Sequence, residues 1–406
     1  MKEELLREYA RLIASTGANV EKGDEVWITA SLDQPEFVKI VVEECYKLKA
    51  KSVTVRWTYD EIAVLNYKYQ TLGELGKVSP IELARFKYMA KKLPTTIFLD
   101  SDDPDAFKSV SQVKIAKASA KRYPKIKKYR QAAESKYKWC IAGVPGKKWA
   151  HKVFPELSLE EAEERLWEAI LKTSRVEEGK AVANWQAHNE FLDNQKRKLH
   201  DLRLVKLIYK ANNGTDFSVE LNPDIHWGAG KEETPSGKVF NPNIPSEEVF
   251  TTPIAGKCEG LLVASKPLSY NGVLIEDFSV RFENGKVKEV KAKKNQKALE
   301  EMVKMDEGAS MLGEVALVPY SSPIRESGVL FFNTLYDENA ACHVALGMGF
   351  KELYDPLMDV EEAKKVGIND SMIHVDFMIG TKDLDIIGVT EKGDTVQVFK
   401  DGEWAI

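Results

Sequence analysis

Residues 25–57 read EVWITASLDQPEFVKIVVEECYKLKAKSVTVRW, and this stretch decides the fold of the first part of the chain. Residues 25–30 and 52–57 are short apolar runs rich in β-branched residues and tryptophan, which predicts two buried strands. Residues 35–48 between them begin at a proline and carry apolar side chains at helical spacing, which predicts a helix. A strand, a helix and a strand in this order predict a parallel βαβ unit.

Helices and strands continue to alternate after this unit. Further strands are predicted at residues 95–99 and 139–144, and Ser158 with Glu161 forms a capping box that opens another long helix. We therefore expect residues 1–200 to form an N-terminal α/β domain with a mainly parallel sheet.

The second half of the chain has a different pattern. Asn-Gly turns at residues 213–214 and 284–285 lie between short apolar runs, which is typical of β-hairpins. We expect residues 201–406 to form a mixed, largely antiparallel β domain with helices. Because 406 residues exceed one ordinary hydrophobic core, the sequence predicts a two-domain α and β protein with a boundary near residue 200.

The composition excludes several classes of protein. Hydrophobic residues make up 43% and charged residues 30% of the chain, and no apolar run is long enough to span a membrane. The first helix contains acidic residues, unlike a signal peptide, and the 4 cysteines show no CxxC pairing. We therefore expect a cytoplasmic protein with reduced thiols and no membrane partner. No glycine-rich nucleotide-binding motif follows a predicted strand.

The net charge of −5 conceals one strongly basic segment. Residues 106–152 contain 14 Lys and Arg side chains and a single acid, Glu134. Such a segment could bind nucleic acid, form a solvated helical face, or contact an acidic domain or a second subunit. Because the rest of the chain is acidic and would repel phosphates, we favour a contact role and expect no nucleic-acid partner. A nucleic-acid-associated protein that uses this segment remains an alternative.

Candidate metal ligands concentrate in four strings of the second half. These strings are IPSEEVFTTP (244–253), GEVALVP (313–319), LYDENAACHVALG (335–347) and IHVDFMIG (373–380). His374 and Asp376 lie two apart in an apolar run that predicts a strand, so both side chains leave the same face of the sheet. His343 is predicted on a helix that Asp337 could cap. Taken singly, each string also has a plain structural explanation, because buried histidines and strand-end carboxylates are common.

Together the four strings resemble the thermophilic aminopeptidase family, the metallopeptidases of the aminopeptidase T and aminopeptidase S type. The resemblance is carried by residues 244–380, while the N-terminal half agrees only in general character. In that family the metal is held by two glutamates, two histidines and an aspartate. The resemblance places these ligands at Glu248, Glu314, His343, His374 and Asp376. Glu247 is expected to face away from the site, because neighbours on an extended segment point in opposite directions.

The resemblance implies a metalloaminopeptidase, a hydrolase that removes the N-terminal residue of a peptide. Three carboxylates and two imidazoles exceed the three protein ligands that are typical of one open catalytic zinc. This ligand number favours two divalent ions and a shared water as the nucleophile. Zinc, cobalt, manganese and magnesium all suit such donors. The expected partners are peptides with a free N-terminus, and the family implies a homodimer.

One position departs from the family. The family commonly has a tyrosine shortly after the helical histidine, where this chain has Phe350. Tyr354, Tyr336 or Tyr320 could supply the missing phenol, or carboxylates alone could hold the water. Glu338 or Asp337 could act as the general base. The departure also leaves open a catalytically weak or inactive relative that binds metal or peptide.

Overall fold

The computed structural model describes residues 2–270 and 272–406 of the chain. Internal contacts divide the chain into two compact units. The first unit contains the chain up to Gln186 together with Lys231–Ile244, and the second contains Ala187–Gly230 and Pro245–Ile406. A short segment of the second half of the chain therefore belongs to the first unit.

The regular elements are given in chain order. The helices are α1 (Glu3–Leu12), α2 (Pro35–Lys47), α3 (Asp60–Tyr69), α4 (Leu72–Leu75), α5 (Pro80–Lys92), α6 (Gln112–Ala133), α7 (Lys147–Val153), α8 (Leu159–Thr173), α9 (Ala181–Asp201), α10 (Gln296–Met302), α11 (Pro323–Glu326), α12 (Thr334–Asp337) and α13 (Val360–Lys365). The strands are β1 (Glu25–Ser31), β2 (Ser52–Thr58), β3 (Thr95–Asp100), β4 (Trp139–Gly143), β5 (Leu204–Lys210), β6 (Asp216–Leu221), β7 (Glu232–Glu233), β8 (Val239–Phe240), β9 (Asn243–Ile244), β10 (Val249–Thr251), β11 (Pro253–Val263), β12 (Leu268–Tyr270), β13 (Val273–Glu283), β14 (Lys286–Lys294), β15 (Leu312–Leu317), β16 (His343–Gly347), β17 (His374–Met378), β18 (Asp385–Thr390), β19 (Thr395–Lys400) and β20 (Glu403–Trp404).

The first unit is built on a parallel sheet with the strand order β2-β1-β3-β4-β9. The predicted βαβ unit is β1-α2-β2, and Val26 and Ile28 of β1 and Val41 of α2 are completely buried. Burial of such side chains is the main favourable contribution to folding, at about 1.5–3 kcal/mol each. The last strand, β9, pairs with β4 although it follows far later in the chain.

The basic segment packs within the first unit through helix α6. Lys114 Nζ donates a 2.8 Å hydrogen bond to Gln70 O, at the carboxyl end of α3, and Lys125 Nζ donates to Gly76 O, at the carboxyl end of α4. Cationic side chains are favourable there because the last carbonyl groups of a helix carry partial negative charge. Part of the basic charge therefore holds neighbouring helices.

The second unit contains two antiparallel sheets. The larger has nine strands in the order β12-β13-β11-β6-β5-β18-β19-β20, with β14 beside β13, and the smaller has the order β10-β15-β16-β17. The hydrophobic core of the second unit includes the buried rings of Tyr209, Phe217, Phe278, Phe377 and Phe399. The parallel sheet and these antiparallel sheets confirm the predicted α and β fold class. None of the helices in the described residues combines the length and the hydrophobicity of a membrane span.

The predicted helix around His343 is wrong, because this residue begins strand β16. Helix α12 ends at Asp337, and a short 3-10 turn at Glu338–Ala340 separates it from the strand. Strand β16 pairs with a strand on each side and is buried throughout, so its apolar run is continuous. A continuous apolar run has no alternation that would distinguish a strand from a buried helix.

Candidate metal centre

The structure brings the five predicted metal ligands together on the smaller antiparallel sheet. Glu248, Glu314 and His343 form one group of possible ligands, with donor atoms that all lie within 4.8 Å of one another. Glu314, His374 and Asp376 form a second group by the same criterion. Glu314 belongs to both groups. The five side chains thus converge as the sequence-based hypothesis requires.

Sheet register explains this convergence. Glu314 on β15 is paired with Ala345 on β16, and Ala345 is paired with Asp376 on β17. Directly paired residues project from the same face of a sheet. Because the middle side chain of this row is only a methyl group, the two carboxylates extend above it. His374 lies two residues before Asp376 on the same face, and Glu248 immediately precedes β10.

Backbone carbonyl groups orient both histidine rings. His343 Nδ1 donates a hydrogen bond to Ala341 O at 3.1 Å, and His374 Nδ1 donates to Met348 O at 2.7 Å. A carbonyl oxygen can only accept, so Nδ1 carries the proton in each ring. Each Nε2 then faces a carboxylate. A histidine ligand held in this way presents its free nitrogen to a metal ion.

Two short contacts join the rings to the carboxylates. His343 Nε2 lies 3.1 Å from Glu248 Oε2, and His374 Nε2 lies 3.0 Å from Glu314 Oε2. His374 Nε2 is also 3.3 Å from Asp376 Oδ1, a buried oxygen that makes no well-aligned hydrogen bond in the described part of the chain. A buried carboxylate oxygen in this position requires a cation or a proton.

Burial and neighbouring charges shift the pKa values of three candidate ligands. Burial raises the pKa of Glu314 to about 7, although His374 opposes this shift. Burial alone would lower the pKa of His374, but its contacts with Asp376 and Glu314 outweigh burial and raise this pKa to about 12. In the same way Glu248 raises the pKa of His343 to about 10 against the effect of burial. Oxygen and imidazole donors crowded in this way fit a divalent cation of the zinc, cobalt or manganese type.

The centre is most open at His374. The side chain of His374 is 22% exposed, whereas those of Glu248, Glu314, His343 and Asp376 are exposed by 10% or less. The Phe350 ring lies beside this more open ligand, with its centroid 4.9 Å from that of His374. The most exposed candidate ligand therefore lies beside an aromatic side chain.

The predicted catalytic residues have different environments. Glu338 lies in the turn before β16, and burial together with the charges of Asp376 and Glu248 raises its pKa well above the ordinary value. Tyr336 is fully buried and stacks on Phe331 with 4.5 Å between ring centroids. Tyr354 follows a 3-10 turn and is 40% exposed.

Asp337 does not cap a helix that leads to His343. Its carboxylate accepts hydrogen bonds from Phe331 N at 2.9 Å and Asn333 N at 3.1 Å, so it fixes the loop that precedes α12. Burial raises the pKa of Asp337 to about 6. The structural role follows from the position of this residue at the end of α12 rather than at its start.

Two buried residues that the sequence analysis did not select support the centre. Asn339 Oδ1 accepts a 2.7 Å hydrogen bond from Glu247 N, and Asn339 Nδ2 donates to Leu335 O at 3.0 Å. Asn339 thereby joins the segment before Glu248 to the turn that carries Glu338. Asn369 Nδ2 donates a 2.6 Å hydrogen bond to Gly347 O, at the end of β16. Asparagines are so common in turns that neither residue gave a signal in the sequence.

Glu247 lies outside both groups of possible ligands. Its Oε2 atom is 3.8 Å from Nε2 of the buried His188. Adjacent glutamates therefore point to different surroundings, and Glu248 alone reaches His343.

Comparisons with known proteins show which family the chain is similar to. The sequence profile of the family described as thermophilic metalloprotease (M29) matches residues 2–404. Aminopeptidase AmpS of Bacillus subtilis is 40% identical over 403 residues and 98% of each chain is covered. Aminopeptidase T of Thermus thermophilus is 35% identical over 402 residues, which cover 99% of this chain and 98% of the relative.

A solved structure extends the similarity to the whole fold. The structure of wild-type AmpT from Thermus thermophilus matches with a TM-score of 0.90 at 35% identity and covers 100% of both chains. These matches confirm the resemblance inferred from the four strings. The chain belongs to the thermophilic metalloprotease (M29) family.

Proposed function

We propose that this protein is a metal-dependent aminopeptidase that removes the N-terminal residue of peptides with a water activated by two divalent ions. The observation that carries the proposal is that two groups of three donors share Glu314. Glu248 and His343 would complete the set for one ion, and His374 and Asp376 would complete the set for the other. The aminopeptidase names of the relatives support the same reaction class.

Divalent ions bound here would lower the pKa of a water toward neutrality and polarise the scissile carbonyl group. The ligand carboxylates, Glu248, Glu314 and Asp376, offset most of the charge of two such ions and leave roughly one positive charge. A free α-amine can therefore approach in its neutral form. This charge balance accounts for a requirement for a free N-terminus.

We assign proton transfer to Glu338. Its buried carboxyl group has a raised pKa, partly because of the charges of Asp376 and Glu248, and this supports a role near the ligands. In its ionised form Glu338 can accept a proton from water, and it can then donate this proton to the nitrogen of the leaving amine. The buried ring of Tyr336 and the exposed ring of Tyr354 are weaker candidates for direct contact with substrate.

Phe350 favours a second candidate function. The aromatic ring lies next to His374 but has no hydroxyl group to stabilise an oxyanion. A chain with intact metal ligands and no such donor could bind peptide with slow turnover. We also propose a cytoplasmic homodimer from the family resemblance, and sedimentation equilibrium of the purified protein tests the dimer.

Metal analysis and peptide cleavage test the main proposal together. The protein is treated with EDTA and then supplied with zinc, cobalt, manganese or magnesium. We expect two ions per chain and release of leucine from Leu-Gly-Gly, with no cleavage of the N-acetylated peptide. One ion per chain would contradict the dinuclear site, and cleavage of the acetylated peptide would contradict aminopeptidase specificity. Metal binding without turnover would favour the second candidate.

A further inference from the structure

Two half-buried phenylalanines stand together at the most open side of the candidate centre. The ring of Phe350 lies 4.9 Å from the ring of His374, at an interplanar angle of 50°. The ring of Phe250 lies 5.2 Å from that of Phe350 in an edge-to-face arrangement. Both rings therefore form a continuous apolar surface that begins at a candidate metal ligand.

The surrounding residues fix the position of Phe350. Its backbone N–H donates a 2.7 Å hydrogen bond to the hydroxyl oxygen of Thr252, and this hydroxyl donates to Gly313 O at 3.1 Å. Thr252 is almost completely buried, and Gly313 precedes the shared ligand Glu314. Phe350 is thus attached to the strand that carries the centre.

The position of Phe250 depends on a residue without a side chain. Gly228 exchanges backbone hydrogen bonds with Phe250, and a Cβ atom on Gly228 would lie only 2.5 Å from Phe250 Cζ. The ring therefore occupies the space where a side chain at residue 228 would stand. Such close packing gives the ring a fixed place beside the centre instead of a free surface position.

We propose that Phe350 and Phe250 form an apolar wall that selects peptides with an apolar N-terminal side chain. This inference rests on the proposed aminopeptidase function, which brings the α-amine and the first carbonyl group of the substrate to the centre. The side chain of the same residue then projects from the adjoining carbon and meets the ring beside His374. An apolar side chain leaves water there, whereas a polar one loses hydrogen bonds that neither ring can replace.

Paired substrates measure the contribution of the wall. The values of kcat/KM are determined for the p-nitroanilides of leucine and serine with the wild type, Phe350→Ala and Phe250→Ala. The matched control is Phe191→Ala, which removes an exposed ring from α9. We expect the wild type to favour leucine, and we expect Phe350→Ala to lower the leucine-to-serine ratio about tenfold, the scale of a lost apolar pocket contact. Phe250→Ala should lower it less, and the control should leave it unchanged.

The leucine-to-serine ratio distinguishes an effect of the apolar wall on substrate preference from an effect on overall activity. The ratio is independent of the fraction of active enzyme, and metal analysis of Phe350→Ala checks that His374 still binds. Absence of turnover by the wild type with every metal would overturn the proposed function. The dissociation constants of leucine hydroxamate and serine hydroxamate then test the same preference without turnover. A ratio that stays within twofold in Phe350→Ala, or a wild type that favours serine, would overturn the apolar wall.

Discussion

The Nδ1 atom of His374 donates a 2.7 Å hydrogen bond to the carbonyl oxygen of Met348, and this contact directs Nε2 toward Glu314. It forms where the chain leaves β16, immediately after Gly347, which pairs with His374 across the sheet. Gly347 has a φ of 110°, and a Cβ atom here would lie 2.0 Å from Ile373 O. Glycine at this position is therefore part of the arrangement that orients a candidate ligand.

Gly347→Ala should weaken metal binding by moving Met348 O away from His374. The loss of such an orienting contact typically costs about 10–100-fold in metal affinity. Chelator competition with zinc measures this change. Gly393→Ala is the control, because Gly393 also has a positive φ, 85°, but no atom lies near its added Cβ. Equal zinc affinity in Gly347→Ala and wild type would show that the Met348 contact does not orient the ligand.

Glu314→Gln should eliminate release of N-terminal residues, because it removes the carboxylate that both groups of ligands share. The amide has nearly the same shape, so the fold should persist, as circular dichroism can check. Metal analysis should show that both ions are weakened together. Loss of only one ion, with the other bound as in wild type, would contradict the shared role of Glu314.

Glu314→Gln should also stabilise the folded protein in EDTA at pH 8. Burial raises the pKa of Glu314 from 4.5 to about 7, so the folded protein bears the cost of a buried charge above that pH and not below pH 4.5. Thermal unfolding of Glu314→Gln and wild type at pH 5 and pH 8 measures the difference. Glu307→Gln is the exposed control and should change stability by less than about 0.5 kcal/mol. If Glu314→Gln exceeded the wild type in thermal stability by more at pH 5 than at pH 8, the expected pH dependence would be wrong.

The parallel sheet of the first unit could be predicted because its helices and strands carry clear local patterns. Strand β1 was expected at residues 25–30 and spans Glu25–Ser31. The pairing of β9 with β4 could not be predicted, because a two-residue strand has no periodicity. Strand β9 joins this sheet because residues 231–244 belong to the first unit although they follow part of the second unit in the sequence. No local sequence pattern indicates this.

The candidate ligands could be selected from the sequence only through four strings considered together. Once His374 and Asp376 are on a strand, their common face follows from its alternation. The helix expected at His343 was wrong, because a strand buried on both faces shows no alternation. The contact between Phe350 and His374 depends on sheet register and a turn, and neither can be derived from spacing in the chain.

Asn339→Ala should reduce metal affinity without touching a ligand. The substitution leaves the N–H of Glu247 without its acceptor and frees the segment that carries Glu248. We expect about 10–100-fold weaker zinc binding and a stability loss of about 1–3 kcal/mol. Asn194→Ala, at an exposed position of α9, is the control for both measurements. Wild-type zinc affinity in a destabilised Asn339→Ala would assign Asn339 a role in folding alone.

Lys138 should make a larger ionic contribution to the stability of the first unit than an exposed lysine does. This lysine is only 5% exposed, and its Nζ atom lies 2.8 Å from Asp24 Oδ2 and 3.3 Å from Glu21 Oε2. Lys138→Met keeps most of the apolar stem but leaves Asp24 partly buried without its cation. Breaking such a pair costs about 3 kcal/mol, the lower end of the range for buried pairs.

The effect of Lys138→Met should depend on pH with a definite sign. Burial opposes ionisation of Asp24, but hydrogen bonds from Glu21 N and Lys138 lower its pKa below 3.8. The stability that the Lys138–Asp24 pair contributes is therefore present above about pH 4 and is lost as the pH falls through the lowered pKa of Asp24. Urea unfolding at pH 7 and pH 3 measures the difference between variant and wild type. Lys51→Met breaks an exposed pair with Glu25 and should therefore destabilise the protein less than Lys138→Met does. If Lys138→Met lost no more stability than Lys51→Met at pH 7, the buried pair would contribute no more than an exposed one.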